Sequence, residues 1–303
     1  MDAAVKAKVG KLFGSVSTKK SVKQNMKRIL ILVFCGFAEV ITTQGQESAD
    51  ISEIVMQSTF LIKDEKTPSC GTGFVILKRQ TNGLAPVFVT ANHVLTNFAG
   101  ENPIIMLRRN TGPDKWEVVS YTNRIRLGTN ALYAKHPSLD IVAFYLPLPK
   151  DCILKAMTEE LLFTEPKIRD AGFGPGTELL NIGFPFGIAS GSENFGFLRS
   201  GRIASYPILP VKGRSSFELA ITAFEGNSGG PVFVSNYQKP GTESTFPSVH
   251  WGGVVGILTT SKSLVQTVQS IDETTTRSTR LGFAGVIHAH FIKETIDLLP
   301  KLN

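Results

Sequence analysis

Two sets of short, strand-like segments constrain the fold of this 303-residue chain most strongly. The segments are rich in valine, isoleucine, phenylalanine and tyrosine, and turn residues such as Thr81-Asn82-Gly83 separate them. The first set comprises 54–62, 72–77, 86–90, 103–108, 116–122 and 141–146, and the second comprises 177–183, 196–205, 217–223, 231–235, 253–260 and 281–287. The pattern predicts an all-β protein with two six-stranded antiparallel β-barrels, because closing a sheet removes its exposed edges.

Three further regions complete the predicted architecture. Apolar residues near a 3.6-residue period predict a C-terminal amphipathic helix over 288–299. Residues 151–173 are interpreted as a linker with one helical turn, and 261–280 as a long, polar, mobile loop. We therefore divide the chain into an N-terminal extension with a signal peptide (1–38), a first barrel (50–150) and a second barrel with the helix (174–303).

The excess positive charge belongs to the N-terminal extension. Residues 1–38 contain eight Lys or Arg and one acid, which accounts for the whole net charge of +7 and argues against a nucleic-acid partner. Met26-Lys27-Arg28 precedes an apolar run that is too short to span a membrane and ends in Gly36-x-Ala38. We expect a signal peptide cleaved near Ala38, a secreted or periplasmic product and no stable membrane span; a buried helix is the alternative.

The cysteines do not predict a disulfide framework. Cys35 lies in the extension, so only Cys70 and Cys152 remain in the mature chain. The sequence leaves open whether these two pair or stay as thiols, because a disulfide requires a specific geometry.

The turn Gly226-Asn227-Ser228-Gly229-Gly230-Pro231 lies between two strand-like segments. Its few side chains allow a backbone to approach a ligand closely and to direct several N–H groups at one point. Ser228 is therefore a candidate nucleophile beside an oxyanion hole, provided that a histidine and a carboxylate are near. An ordinary glycine-rich loop is the alternative interpretation.

Two residues can complete such a site. His93 follows the strand-like 87–90 through small residues, and Asp140 directly precedes the strand-like 141–146. A structural histidine and a turn-capping aspartate are the alternatives. His288 and His290 alternate and could share a face as metal ligands, but no third ligand is apparent, so we expect no metal and no other cofactor.

Three motifs in this order carry a resemblance to a known family. Ala91-Asn92-His93-Val94, Leu139-Asp140-Ile141-Val142 and the Ser228 turn resemble the chymotrypsin-fold (trypsin-like) serine peptidases, and within them the bacterial HtrA/DegP-type branch. Segments 70–76, 181–187, 253–257 and 281–284 extend the resemblance over roughly residues 50–299. In that branch a PDZ domain follows the protease domain, whereas we expect none here, and Glu225 replaces a residue that is commonly basic there.

The resemblance implies a role for each candidate residue. Ser228 would be the nucleophile, His93 the general base and Asp140 its orienting carboxylate, while Thr259 would donate its hydroxyl to Asp140. Backbone N–H groups in Gly226, Asn227 and Ser228 would form the oxyanion hole. The primary specificity pocket would be formed by Thr222, Ala223, Glu225, Thr260, Ser261 and Gly282.

These roles predict an exported serine endopeptidase that acts on proteins or peptides through an acyl-enzyme. An uncharged pocket around Thr222 favours small or medium apolar residues before the cleaved bond, and Glu225 at its rim is expected to disfavour acidic neighbours weakly. A serine acyl hydrolase acting on esters and a catalytically silent binding domain are the alternative functions.

Overall fold

The computed structural model describes residues 51–149, 152, 155–239, 250–269 and 274–302. The first part contains α1 (Ile51–Ser58), β1 (Thr59–Lys63), β2 (Cys70–Gln80), β3 (Gly83–Thr90), α2 (Asn92–Thr96), β4 (Ile104–Gly112), β5 (Lys115–Thr122), β6 (Arg126–Leu127), β7 (Asn130–Ala131), β8 (Ala134–Lys135), β9 (Val142–Tyr145) and β10 (Met157–Thr158). The second contains α3 (Glu165–Ala171), β11 (Glu178–Gly183), β12 (Phe197–Ile203), β13 (Ser216–Ala220), β14 (Pro231–Gln238), β15 (His250–Gln269), β16 (Thr274–His288) and α4 (Ala289–Asp297). The predicted signal peptide lies outside the described residues.

The second half forms the closed six-stranded barrel that the sequence predicts. Its strands follow the order β11-β12-β13-β16-β15-β14, and every neighbouring pair is antiparallel. The barrel closes where β14 pairs with β11, at Leu180 opposite Phe233 and Asn181 opposite Val232. The predicted C-terminal helix is confirmed as α4, which buries Phe291, Ile292 and Ile296.

The first half forms an eight-stranded sheet. Seven strands follow the order β5-β4-β1-β2-β3-β9-β8, and β10 adds a short parallel pairing to β2. No strand pair closes this sheet among the described residues, so the structure supports one closed barrel of the predicted two. None of the described helices is both long enough and apolar enough to span a membrane.

Strands β2, β3 and β9 separate two hydrophobic cores. Along β2, Phe74 and Ile76 contribute to the core that continues into the second barrel, whereas Val75 and Leu77 contribute to the core of the first sheet. Successive side chains of a strand point to opposite faces, so both faces of β2 are buried. The ends of these central strands therefore lie at the junction of the two halves, where the candidate site forms.

The start of the described chain differs from the prediction. The predicted strand 54–62 begins as helix α1, and only Thr59–Lys63 is extended. Ile51, Ile54 and Val55 have helical spacing and pack on the core, which favours the helix. The buried Arg108 stabilises its last turn by donating to the carbonyl groups of Met56 and Gln57.

The prediction of a mobile loop at 261–280 is also wrong. Strand β15 continues to Gln269 and β16 begins at Thr274, so the two form a long hairpin with Ser263 opposite Arg280. The many threonines favour an extended strand, and the partner strand satisfies the backbone groups of this polar segment. The interpreted linker likewise contains β10 and α3.

Candidate active site

Strands β3 and β9 bring His93 and Asp140 together. Thr90, at the end of β3, pairs with Val142 at the start of β9 in an antiparallel register. The chain that leaves β3 and the chain that enters β9 therefore lie at the same edge of the sheet. His93 is the second residue of the short helix α2, rather than part of the strand itself.

The Asp140 carboxylate contacts His93 through both of its oxygen atoms. The His93 backbone N–H donates to Oδ1 at 2.8 Å, and His93 Nδ1 lies 2.6 Å from Oδ2. The two side chains are 37% and 29% exposed, so the imidazole is accessible to solvent. A carboxylate only accepts hydrogen bonds, so this contact assigns the proton to Nδ1 and leaves the lone pair of Nε2 available to take a proton.

The Ser228 turn packs directly against the chain that leads to His93. The Thr72 N–H donates to the Ser228 carbonyl at 2.9 Å, and the Gly229 N–H donates to the Leu258 carbonyl at 2.7 Å. A Cβ atom on Gly229, whose φ is +87°, would lie 2.0 Å from the Thr72 carbonyl oxygen and 3.0 Å from the Ala91 nitrogen. Only glycine permits this approach.

The Ser228 hydroxyl donates to the Thr259 carbonyl over a long 3.4 Å contact. In the described part of the chain, no hydrogen bond joins it to His93. Catalytic hydrogen bonds are often long or misaligned without substrate and tighten when it binds. The weak contact to Thr259 leaves the hydroxyl able to rotate.

Two N–H groups of the turn are available for an oxyanion. The Gly226 and Ser228 N–H groups have no acceptor among the described residues. The predicted third donor, the Asn227 N–H, is not available. It donates to the Phe224 carbonyl at 3.1 Å and is therefore already used within the turn. Gly226 has a φ of +88°, and a Cβ there would lie 2.3 Å from the Phe184 carbonyl oxygen.

Thr72 is a residue that the sequence analysis missed. Its buried hydroxyl donates to the Gly226 carbonyl at 2.7 Å and accepts from the Phe184 N–H at 3.1 Å. Its own carbonyl accepts from the Thr90 hydroxyl at 2.7 Å. The polar residue within Gly71-Thr72-Gly73, directly before the apolar run 74–77, is the signal in the sequence that could have identified it.

Thr259 does not make the predicted hydrogen bond to Asp140. Its buried hydroxyl donates to the Gly285 carbonyl at 3.5 Å, and its carbonyl accepts from Ser228. In the described residues, the hydrogen bonds to the Asp140 carboxylate come from His93 alone.

The predicted pocket residues lie on the Ser228 turn and on the β15–β16 hairpin. Among them, Ala223 is buried, Gly282 is half-buried, and Thr222, Glu225, Thr260 and Ser261 are exposed. The structure also brings two arginines to this region. Arg199 donates to the Thr222 carbonyl, and the Arg280 guanidinium carbon lies 4.8 Å from the centre of the Phe224 ring.

Two of the described histidines outside the His93 site contact a carboxylate, and neither described cysteine forms a disulfide. Among the described residues, no three His, Cys, Asp or Glu side chains form a group that could hold a metal. His136 contacts Glu294 at 3.4 Å, and His290 contacts the same carboxylate at 3.2 Å. No disulfide joins Cys70, which is half-buried, to the buried Cys152.

Solved structures of one protease resemble the chain over most of its length. The inactive form of the Rv3671c protease is 17% identical, with 82% of this chain and 91% of that chain covered and a TM-score of 0.39. An inactive serine-to-alanine mutant of Rv3671c from M. tuberculosis H37Rv is 18% identical, with 82% and 88% covered and a TM-score of 0.38. No curated protein sequence matches the chain.

The trypsin-like peptidase domain family matches residues 71–238, more than half of the chain. This range contains His93, Asp140 and Ser228. The chain therefore belongs to the family of trypsin-like peptidase domains.

Proposed function

We propose that the protein is an exported serine endopeptidase with a Ser228–His93–Asp140 triad. The observation that carries the proposal is the combination of the His93–Asp140 contact with the serine turn, whose two available N–H groups lie beside the nucleophile. Hydroxyl, imidazole, carboxylate and oxyanion donors are the groups that acyl transfer requires. The apolar leader ending near Ala38 supports export, and protein or peptide chains are the proposed substrates.

Each group has a defined task in the reaction. Ser228 Oγ attacks the carbonyl carbon of the substrate, and His93 Nε2 takes the hydroxyl proton as the bond forms. Asp140 holds the imidazole in the correct tautomer and stabilises the imidazolium. The Gly226 and Ser228 N–H groups stabilise the negative oxygen of the tetrahedral intermediate. His93 then protonates the leaving amine, and water hydrolyses the acyl-enzyme by the reverse sequence of proton transfers.

We further propose that residues 50–150 and 174–303 act as the two halves of the catalytic unit. The first supplies His93 and Asp140, and the second supplies Ser228. The hydrogen bonds of Thr72 to Ser228 and Gly226 support this division, since they connect the two halves at the reacting groups.

The test compares Ser228→Ala and His93→Ala with a matched control, Ser200→Ala, on the exposed surface of β12. Loss of one triad member lowers kcat by up to about a millionfold in related triads. We expect the two active-site variants to lose nearly all turnover and to retain the wild-type melting temperature, with the control unchanged. A fluorophosphonate probe should label wild-type Ser228.

The substrate panel distinguishes the alternative functions. If the fluorophosphonate labels Ser228 and the protein hydrolyses esters but not peptides, the protein is an acyl hydrolase. If there is neither labelling nor turnover, it is a silent binding domain. Ser228→Ala with more than a few per cent of wild-type turnover would show that the nucleophile is wrongly assigned.

A further inference from the structure

Two arginines flank the part of the Ser228 turn that leads to the nucleophile. Arg199 lies on the same face of β12 as the buried Gly201 and Ile203, so its half-buried side chain belongs to the inner face of the strand. Its Nη2 donates to the Thr222 carbonyl, and its guanidinium carbon lies 5.3 Å from the centre of the Phe224 ring. Arg280 packs over the same ring at 4.8 Å.

Neither arginine has an acidic partner among the described residues. The Nη1 atom of Arg199 is buried and has no hydrogen-bond partner there. Burial also lowers the pKa of Arg199 below its usual value, and no carboxylate opposes this effect.

Two acids belong to the neighbouring segments: Glu225 lies on the Ser228 turn, and Glu218 lies on β13, which pairs with β12. Burial, followed by the Glu225 carboxylate, raises the pKa of Cys70, so this exposed carboxylate lies within electrostatic range of the Cys70 thiol. The other acid, Glu218, pairs with Lys262 at 3.3 Å. The positive charge beside Thr222 therefore forms no ion pair within the described residues.

A partly desolvated guanidinium without a counter-charge is unfavourable, and a carboxylate compensates it most effectively. The planar arrangement of arginine donors matches the two oxygens of a carboxylate, whereas a neutral side chain makes fewer and weaker hydrogen bonds. Thr222 and Ala223 contribute no negative charge that would repel such a ligand.

From this geometry we infer that Arg199, assisted by Arg280 at the entrance, selects substrates with Glu or Asp immediately before the cleaved bond. The inference rests on the proposed peptidase function and names its substrate class. It replaces the expectation of an apolar preference, which considered Thr222, its uncharged neighbours and Glu225 but neither arginine. Arg199 and Arg280 are specificity residues and take no part in proton transfer.

The first test measures binding without turnover. Two peptides that differ only in Glu or Gln before the cleaved bond are titrated into Ser228→Ala by calorimetry. We expect the Glu peptide to bind at least about tenfold more tightly, and the ratio to decrease with added salt. Arg199→Gln should abolish the preference, and Arg199→Lys should retain part of it because the charge remains.

Arg202→Gln is the matched control. Arg202 lies on the same strand, but it is exposed and contacts Glu178 at 3.8 Å, so the Glu-over-Gln ratio should not change. If Arg199→Gln does not fold, Arg280→Gln decides the test, because this side chain is exposed. It should reduce the ratio at least about threefold.

The second test measures kcat/KM of the wild-type enzyme for Glu, Gln, Leu and Ala before the cleaved bond. A preference for Leu or Ala, or a Glu-over-Gln ratio that Arg199→Gln leaves unchanged, would overturn the inference. Fluorophosphonate labelling reports on the proposed catalytic function separately. Loss of labelling with a retained Glu preference in binding would overturn only the proposed catalysis.

Discussion

The Thr72 hydroxyl donates a hydrogen bond to the Gly226 carbonyl at 2.7 Å, although the two residues are 154 positions apart. The same hydroxyl accepts from the Phe184 N–H, so one buried side chain holds the backbone on both sides of the candidate oxyanion hole. The orientation of the Gly226 peptide therefore depends on a residue of the first sheet.

Replacing Thr72 by valine should lower both activity and stability. Valine has a similar shape but leaves the Gly226 carbonyl and the Phe184 N–H buried without this partner, each at a cost of about 1–3 kcal/mol. A loosened oxyanion hole should decrease kcat by about tenfold to a hundredfold. Thr72→Ser retains the hydroxyl and should keep most activity in the same kinetic and urea-unfolding measurements. Equal kcat values for the two variants would contradict this role.

Asp140→Asn should decrease kcat by about 10⁴-fold while the protein stays folded. An amide can donate to His93 Nδ1, which places the imidazole proton on Nε2, where it prevents uptake of the serine proton. Steady-state kinetics and the rate of fluorophosphonate labelling measure the effect. Asp170→Asn, on an exposed face of α3, is the control and should behave as wild type. A loss below tenfold would assign Asp140 a structural role instead.

Activity should not depend on a newly formed N-terminus. In digestive members of the family, an aspartate directly before the catalytic serine pairs with such a terminus, but Asn227 is neutral and only 1% exposed. A short extension before Ile51 should leave kcat/KM unchanged. An extension that removes activity from a folded protein would contradict this expectation.

Asn227→Asp tests the same position through stability. The Asn227 Oδ1 atom has no hydrogen-bond partner among the described residues, so an aspartate there would be an uncompensated buried charge. We expect the free energy of unfolding to fall by several kcal/mol at neutral pH, and less at pH values where the carboxyl is protonated. Asn236→Asp, at an exposed position, is the control.

His288 should make the protein less stable in mild acid. Burial is the main cause that lowers the pKa of His288 to about 4, and the nearby His290 acts in the same direction. The Ile208 backbone and Glu165 act in the opposite direction, because they favour the charged form. Neither ring nitrogen makes a well-formed hydrogen bond with described residues, and the ring packs 5.0 Å from that of Phe217. The folded protein therefore holds this histidine neutral.

The expected pH range follows from the direction of this shift. Above about pH 6.5, His288 is neutral in both states and contributes nothing. Between about pH 6.5 and pH 4, only the unfolded state binds the proton, so the free energy of unfolding falls by about 3 kcal/mol in total. Urea unfolding at several pH values measures this loss. It should be smaller in His288→Leu than in wild type, while His290→Gln should retain it; equal losses in the two variants would contradict the assignment.

The sequence by itself determined the features that depend on local pattern. Segments rich in β-branched and aromatic residues between turn residues predicted most strands of both sets, and the 3.6-residue period predicted α4. The glycines around Ser228 indicated a tight turn, and the positions of His93 and Asp140 beside two strands made them candidates. Each of these signals acts between residues that are close in the chain, so no tertiary information is needed to detect it.

Tertiary structure alone decided which distant groups meet. The choice of helix over strand at α1 depends on packing against the core and on Arg108, and the hairpin at 261–280 depends on pairing between two polar strands. The contact of Thr72 with Gly226 and the positive charge that Arg199 brings to Thr222 follow from strand register in three dimensions. A side chain acts on whatever the fold places within a few ångströms, and spacing along the sequence does not specify that neighbour.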